Sequence, residues 1–100
     1  MISVVVPVFN EEENVAILHG EIAEALTDPD VEIIFVDDGS RDKTFARLQN
    51  IRTSDQRVKV IRFNRNYGQS AALMAGIRHA KGDILVTLDG DLQNDPADIP

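Results

Sequence analysis

The sequence predicts an α/β fold built on a mostly parallel sheet, in which four strands alternate with three helices. Three observations carry that expectation. Short runs rich in valine and isoleucine recur at residues 2–6, 31–36, 58–63 and 83–88, and their nearly uniform apolarity suits strands covered on both faces. The segments between them repeat apolar residues at helical spacing. The connections are too long for hairpins, which leaves parallel strands joined by right-handed crossovers.

Each element has its own local reasons. Ile2–Val6 is a β-branched strand, and Pro7 removes a ladder donor at its end. Asn10, with Glu13 three residues later, has the form of a capping box, after which Val15, Leu18, Ile22 and Leu26 fall on one helical face. Thr27-Asp28-Pro29-Asp30 stops that helix. Val31–Val36 runs into Asp37-Asp38-Gly39-Ser40, and Phe45, Leu48 and Ile51 then mark a second helix capped by Ser40 or Asp42. Val58–Phe63 is the third strand, followed by the loop Asn64–Gly68. Ser70–Ala80 is alanine-rich and apolar on most sides, which predicts a well-buried helix. Lys81-Gly82 ends it, and Asp83–Leu88 leads as a buried strand into Asp89-Gly90-Asp91. Asp95-Pro96 reads as a helix cap followed by proline at the first helical position, so residues 1–100 are expected to be the first half of a longer domain.

Composition narrows the classes of function. With 100 residues and 43% apolar content the chain supports one domain with a modest core. No run reaches a membrane span's length, and Met1-Ile2-Ser3-Val4 lacks the basic start of a signal peptide. The absence of cysteine excludes a disulfide scaffold or thiolate metal site and is compatible with the cytosol. The net charge of −7 argues against general nucleic-acid binding. It is also segregated: residues 1–40 hold ten acids and no lysine or arginine, whereas all ten basic residues lie between Arg41 and Lys81. That basic middle is available to phosphates.

Parallel sheets bind ligands at the carboxyl ends of their strands, where the turns after all four strands gather. Asp89 and Asp91 flank a glycine at a strand end, so their carboxylates can converge on one divalent cation and leave positions open for phosphate. The first turn has no glycine and carries Glu11, Glu12 and Glu13, which opposes a dinucleotide fold. Phe9 and Asn10 are placed to line a base or ribose pocket, while Glu12 and Glu13 suit a helix amino terminus. Asp38 is the expected ligand of the second turn, with Asp37 structural or a secondary ligand. Gly68 and Gln69 open a helix whose free N–H groups suit an anionic or hydroxyl-rich ligand, and Arg65 is within reach of a phosphate. His19 and His79 read as structural, and no Ser/His/Asp or Cys/His set is visible.

Taken together, Val5-Val6-Pro7-Val8-Phe9-Asn10-Glu11-Glu12, Val36 to Thr44, Asn66-Tyr67-Gly68-Gln69-Ser70-Ala71-Ala72 and Leu88 to Pro96 resemble the family 2 glycosyltransferases. Within that family the chain resembles the polyprenyl-phosphate sugar transferases, the group of dolichyl-phosphate mannose synthase, because Asp-x-Asp-x-Gln is followed by Asn-Asp-Pro. The resemblance covers essentially the whole chain. It implies a GT-A three-layer fold, here residues 1–100 as the nucleotide-sugar-binding half of one catalytic domain. It further implies a UDP- or GDP-linked sugar donor, Mg²⁺ or Mn²⁺, and transfer with inversion to undecaprenyl, dolichyl or a similar phosphate. Pro7, Phe9, Asn10 and Glu11 would surround the nucleoside, with Asp38 at the base. Asp89, Asp91 and Gln93 would hold metal and diphosphate beside Gly90. The lipid-phosphate acceptor would be bound mainly by residues beyond Pro100, so the 100-residue piece is expected to bind donor without transferring sugar. The longer protein would act at the cytoplasmic face of a membrane. An exposed sheet edge offers a route to homo-oligomers.

Three other readings compete. A family 2 transferase acting on a sugar hydroxyl would need a catalytic base. A signalling receiver also gathers acidic residues around Mg²⁺, but there the acidic pair follows the first strand and not the second. A piece that only binds nucleotide would show no chemistry.

Overall fold

A computed structural model of the chain describes residues 1–88. Strands β1 (Ile2–Val8), β2 (Val31–Asp37), β3 (Val58–Arg62) and β4 (Ile84–Thr87) alternate with helices α1 (Val15–Ala25), α2 (Thr44–Ser54) and α3 (Gln69–His79). All strand pairs are parallel, in the order β3-β2-β1-β4, so the α/β expectation holds. The chain winds outward from β1 through β2 to β3, then returns to the other side of β1 to lay down β4. Right-handed crossovers in opposite directions must leave their helices on opposite faces. The core is split accordingly.

On one face Val4, Val6, Val8, Ile33 and Phe35 pack with Val15, Leu18 and Ile22 of α1 and Leu48 and Ile51 of α2. On the other, Val5, Ile34 and Val36 meet Ala72 of α3. Alternate residues of the same strands thus serve both layers, which is why β1 and β2 read as unbroken apolar runs. Burying the side chains of these two strands is the main stabilising contribution, at about 1.5–3 kcal/mol for each large aliphatic or aromatic group.

Several local expectations are corrected. β1 continues through Pro7 to Val8, with Pro7 paired to Val36. Leu88 N–H donates to Val5 C=O, so the residue two further on faces the same side, past the last pairing of β4. The proline's missing donor therefore costs no described ladder bond. α3 is not well buried: only Ala72 and Gly76 are, while Met74 is 48% exposed. Small residues bring this helix close, since a Cβ on Gly76 would lie 2.3 Å from Val5 Cγ1. β4 is an edge strand, and Ile84, Leu85 and Val86 are exposed although their sequence reads as a buried run.

Candidate functional site

The turns after β1, β2 and β3 are tied into one platform at the carboxyl edge of the sheet. Asn10 has a positive φ of 52°, which turns its backbone toward the second loop. Its N–H donates to Ser40 Oγ at 2.8 Å, and its Oδ1 accepts from the Arg41 N–H at 2.9 Å. Alongside, Glu11 N–H donates to Thr44 Oγ1 at 2.8 Å and Glu12 N–H to Asp42 Oδ2 at 3.3 Å. The capping box is therefore not formed. Asn14 is the cap residue of α1, without a side-chain cap bond, and its amide donates to Glu11 Oε2 at 2.6 Å. Asn10 instead spends its polar groups across 30 residues of sequence.

At the start of α2, Asp42 Oδ1 accepts from both the backbone N–H and the hydroxyl of Thr44. The cap position is Lys43, without a side-chain cap bond, so neither Ser40 nor Asp42 caps this helix, and Asp42 supports its first residue from one position further out. Burial acts to raise the Asp42 pKa, but the Thr44 hydroxyl and N–H and the Glu12 N–H outweigh it and hold the carboxyl below its ordinary value.

The second loop is joined to the third by Asp38 and Gly39. Asp38 is 2% exposed and accepts from Tyr67 N–H at 2.8 Å, Gly68 N–H at 3.0 Å and the Asn66 amide at 3.1 Å. One buried carboxylate thereby fixes the turn that starts α3. Gly39, at φ 74°, lies against the same turn, where an added Cβ would be 2.2 Å from the carbonyl carbon of Arg65. Glycine is required there on both counts. Asp37 is fully buried: Oδ1 accepts from Ser40 N–H at 2.9 Å, and Oδ2 has no partner among the described residues.

The platform borders an open cavity of about 550 Å³. Phe9 forms one wall, Ser40 and Arg41 a second, and Arg62, Asn64 and Arg65 a third. Two guanidinium groups rest on aromatic faces, Arg62 4.2 Å from the Phe45 ring centre and Arg65 4.8 Å from that of Tyr67. Stacking of this kind holds cationic groups at an open mouth without neutralising them.

Of the residues expected at the site, Phe9 and Arg65 line the cavity. Asn10, Glu11 and Asp38 instead build its frame through the bonds just described. Pro7 sits within β1, Gly68 gives its N–H to Asp38, and Gln69 is exposed as the first residue of α3. None of these three lines the cavity. Arg41, Arg62 and Asn64 were not singled out from sequence, although the concentration of basic residues after Arg41 was the available signal. Asp89, Gly90, Asp91 and Gln93 lie outside the described residues, directly after β4 and Leu88. Among the described residues no three His, Asp or Glu side chains are grouped to hold an ion. His19 is structural, its Nε2 2.9 Å from Asp55, whose other contacts come from Arg57.

A parallel sheet flanked by helices on both faces, with its loops gathered around a cavity at the carboxyl edge, defines a doubly wound α/β domain, a class that binds ligands at that edge. Residues 3–100 match the model of glycosyl transferase family 2, and the chain belongs to that family. It is 44% identical, over 99% of its length, to the undecaprenyl-phosphate 4-deoxy-4-formamido-L-arabinose transferase of Pseudomonas fluorescens strain SBW25. It is 43% identical, over the same share, to the dodecaprenyl-phosphate galacturonate synthase of Rhizobium johnstonii. The chain spans about 30% of the length of both relatives.

Among solved structures, the Pyrobaculum calidifontis mannosyltransferase PcManGT in complex with GDP-Man and Mn²⁺ superposes with a TM-score of 0.83 at 27% identity. That match covers 90% of this chain and 27% of the mannosyltransferase. Staphylococcus aureus TarS 1-349 in complex with UDP-GlcNAc gives 0.81 at 25% identity, covering 90% and 26%. The fold is thus that of part of a GT-A glycosyltransferase, as its sequence motifs imply. The signalling-receiver reading is excluded by the same family match.

Proposed function

We propose that the chain is the donor-binding part of a glycosyltransferase that moves a sugar from a nucleotide diphosphate to a polyprenyl phosphate, with inversion at the anomeric carbon. The observation that carries this is the cavity at the carboxyl edge, lined by Phe9 and by Arg41, Arg62 and Arg65. An aromatic wall beside fixed cations suits a nucleoside joined to phosphates. The similarity to relatives named for undecaprenyl- and dodecaprenyl-phosphate substrates supports the acceptor.

The sheet order arranges the parts. The cavity lies over the ends of β1, β2 and β3, and the acidic motif follows β4, on the other side of β1. Two strand spacings, roughly 10 Å, separate β2 from β4, a span suited to a nucleoside at one end and its diphosphate at the other. Asp89, Asp91 and Gln93 would hold Mg²⁺ or Mn²⁺ there. When bound, the cation neutralises charge on the departing diphosphate.

The residues of this chain orient the donor and leave the acceptor chemistry simple. A phosphate monoester, with a second pKa of about 6, is anionic near neutral pH. One of its oxygens forms the bond to the anomeric carbon while the bond to the nucleotide diphosphate breaks on the opposite side, which inverts that centre. No proton need be removed, so no base is required. UDP and GDP sugars titrated into the isotope-labelled chain test the reading. The backbone resonances of Phe9, Arg41 and Asn64 should shift with saturation. Shifts confined to other surfaces, or none, would refute it.

A further inference from the structure

At the opposite edge of the sheet from the cavity, a buried carboxylate is bonded to three separate parts of the chain. Glu32, the second residue of β2, is 3% exposed. Its Oε2 accepts from the Ser3 hydroxyl of β1 and from the backbone N–H of Lys81, both at 2.5 Å, and its Oε1 accepts from Lys59 Nζ of β3 at 2.7 Å. Ser3 Oγ in turn accepts from Gly82 N–H at 2.7 Å. The connection from α3 into β4 is thus docked onto β1 and β2 through two side chains. Gly82 must be glycine in this arrangement, because a Cβ would lie 2.5 Å from Ser3 Oγ and 2.6 Å from the backbone oxygen of Met1.

A docking of this kind has a purpose at β4 that it would not have at β1 or β2. Strand register is ordinarily set by burying one face, and β1 and β2 bury both. Among the described residues β4 pairs over four residues on one side only, with Ile84 59%, Leu85 42% and Val86 37% exposed. Apolar packing within the described chain therefore constrains it little. A slip of one residue would move its end by about 3.3 Å and exchange its faces. It would also put glycine where the first aspartate of Asp89-Gly90-Asp91 belongs. Buried ionic groups are weak sources of stability, and fixing register is their best-attested use.

We propose that Ser3 and Glu32 are positioning residues that lock the register of β4, and so set the place of the acidic motif relative to the cavity. The inference rests on the donor-site reading above. Neither side chain touches the cavity residues, so their loss should act on metal-dependent binding alone.

The test compares the wild-type chain with Glu32→Gln and Ser3→Ala, titrating UDP and GDP with and without Mn²⁺ and following amide exchange at Lys81, Gly82 and Ile84 to Leu88. The proposal expects each variant to weaken Mn²⁺-dependent affinity by about tenfold, the scale of losing an outer support of a metal site. Binding without Mn²⁺ should be unchanged, and exchange should accelerate in β4 before β1 and β2. Ser3→Ala leaves the carboxylate bonded to Lys59 and Lys81 and serves if Glu32→Gln does not fold. Equal loss with and without Mn²⁺, or no loss in either, overturns the positioning role. Wild-type binding at the cavity that Mn²⁺ does not strengthen overturns that role while leaving nucleotide binding standing, and absence of any binding removes the donor reading itself.

Discussion

Asp38 and Gly39 adjoin in sequence, yet their replacement should fail in different ways. Removing the Asp38 carboxylate leaves two backbone N–H groups and the Asn66 amide without their acceptor in a nearly closed space. Asp38→Ala should cost about 1–3 kcal/mol per stranded donor that water cannot reach, read as a lower urea midpoint. Gly39→Ala must both adopt a left-handed backbone and push back the Arg65 carbonyl carbon at 2.2 Å. A loss of more than about 2 kcal/mol is expected in the same assay, with nucleotide shifts at Asn64 to Asn66 altered even where the chain remains folded. Sequence singles out Asp38 as a ligand because a carboxylate after a buried strand can accept from a base or a ribose hydroxyl. It did not disclose that its acceptors serve a turn 28 to 30 residues away. The same limit explains Asn10, whose spacing to Glu13 matches a local cap while its bonds go to Ser40 and Arg41.

Glu32 also gives the molecule an acid limit. Burial acts to raise its pKa, but hydrogen bonds from Lys59, Ser3 and the Lys81 N–H outweigh that and lower it to about 2 from an ordinary 4.5. A folded-state pKa below the unfolded one adds stability that is complete above about pH 4.5 and is lost as pH falls toward 2. The contribution is about 3 kcal/mol at most. Thermal melts of wild type and Glu32→Gln should therefore differ most above pH 5 and converge near pH 2, and a constant gap across that range would contradict the assignment. Asp55 shifts in the same direction, first through its hydrogen bonds from Arg57, and steepens the acid transition.

At the scale of elements, α3 shows what a composition of small residues conceals. Alanine-rich sequence suggested burial on most sides, whereas the helix meets the sheet along Ala72 and Gly76 and leaves Met74 exposed. What matters is the close approach at one face. Gly76→Ala should destabilise by about 1–3 kcal/mol, despite alanine's better helix propensity, because Val5 and Val36 occupy the space. A midpoint raised by this substitution would show that α3 has room to shift. β1 and β2 were legible because both faces are covered and periodicity collapses into one apolar run. β4 carries the same signature without the cover among the described residues. Pattern reports what a strand is built to face and not what is packed on it here.

For the molecule as a whole, topology unites these parts. A sheet that starts at its centre and winds first to one side and then to the other brings the turns after β1, β2 and β3 beside the strand that precedes the acidic motif. The strand and helix alternation made this fold class readable, and four linked motifs made the family readable. Sequence marks Arg65 as within reach of a phosphate but hides its company, because Arg41, Arg62 and Arg65 become neighbours only when β2 and β3 pair. The central claim is that this edge binds a nucleotide diphosphate with a divalent cation across β1. Calorimetric titration of UDP and GDP with and without Mn²⁺, on wild type and Asp91→Ala, tests it most directly. Affinity that rises at least about tenfold with Mn²⁺ in the wild type, and not in Asp91→Ala, is the predicted result. Affinity indifferent to Mn²⁺, or equally enhanced in Asp91→Ala, would contradict it.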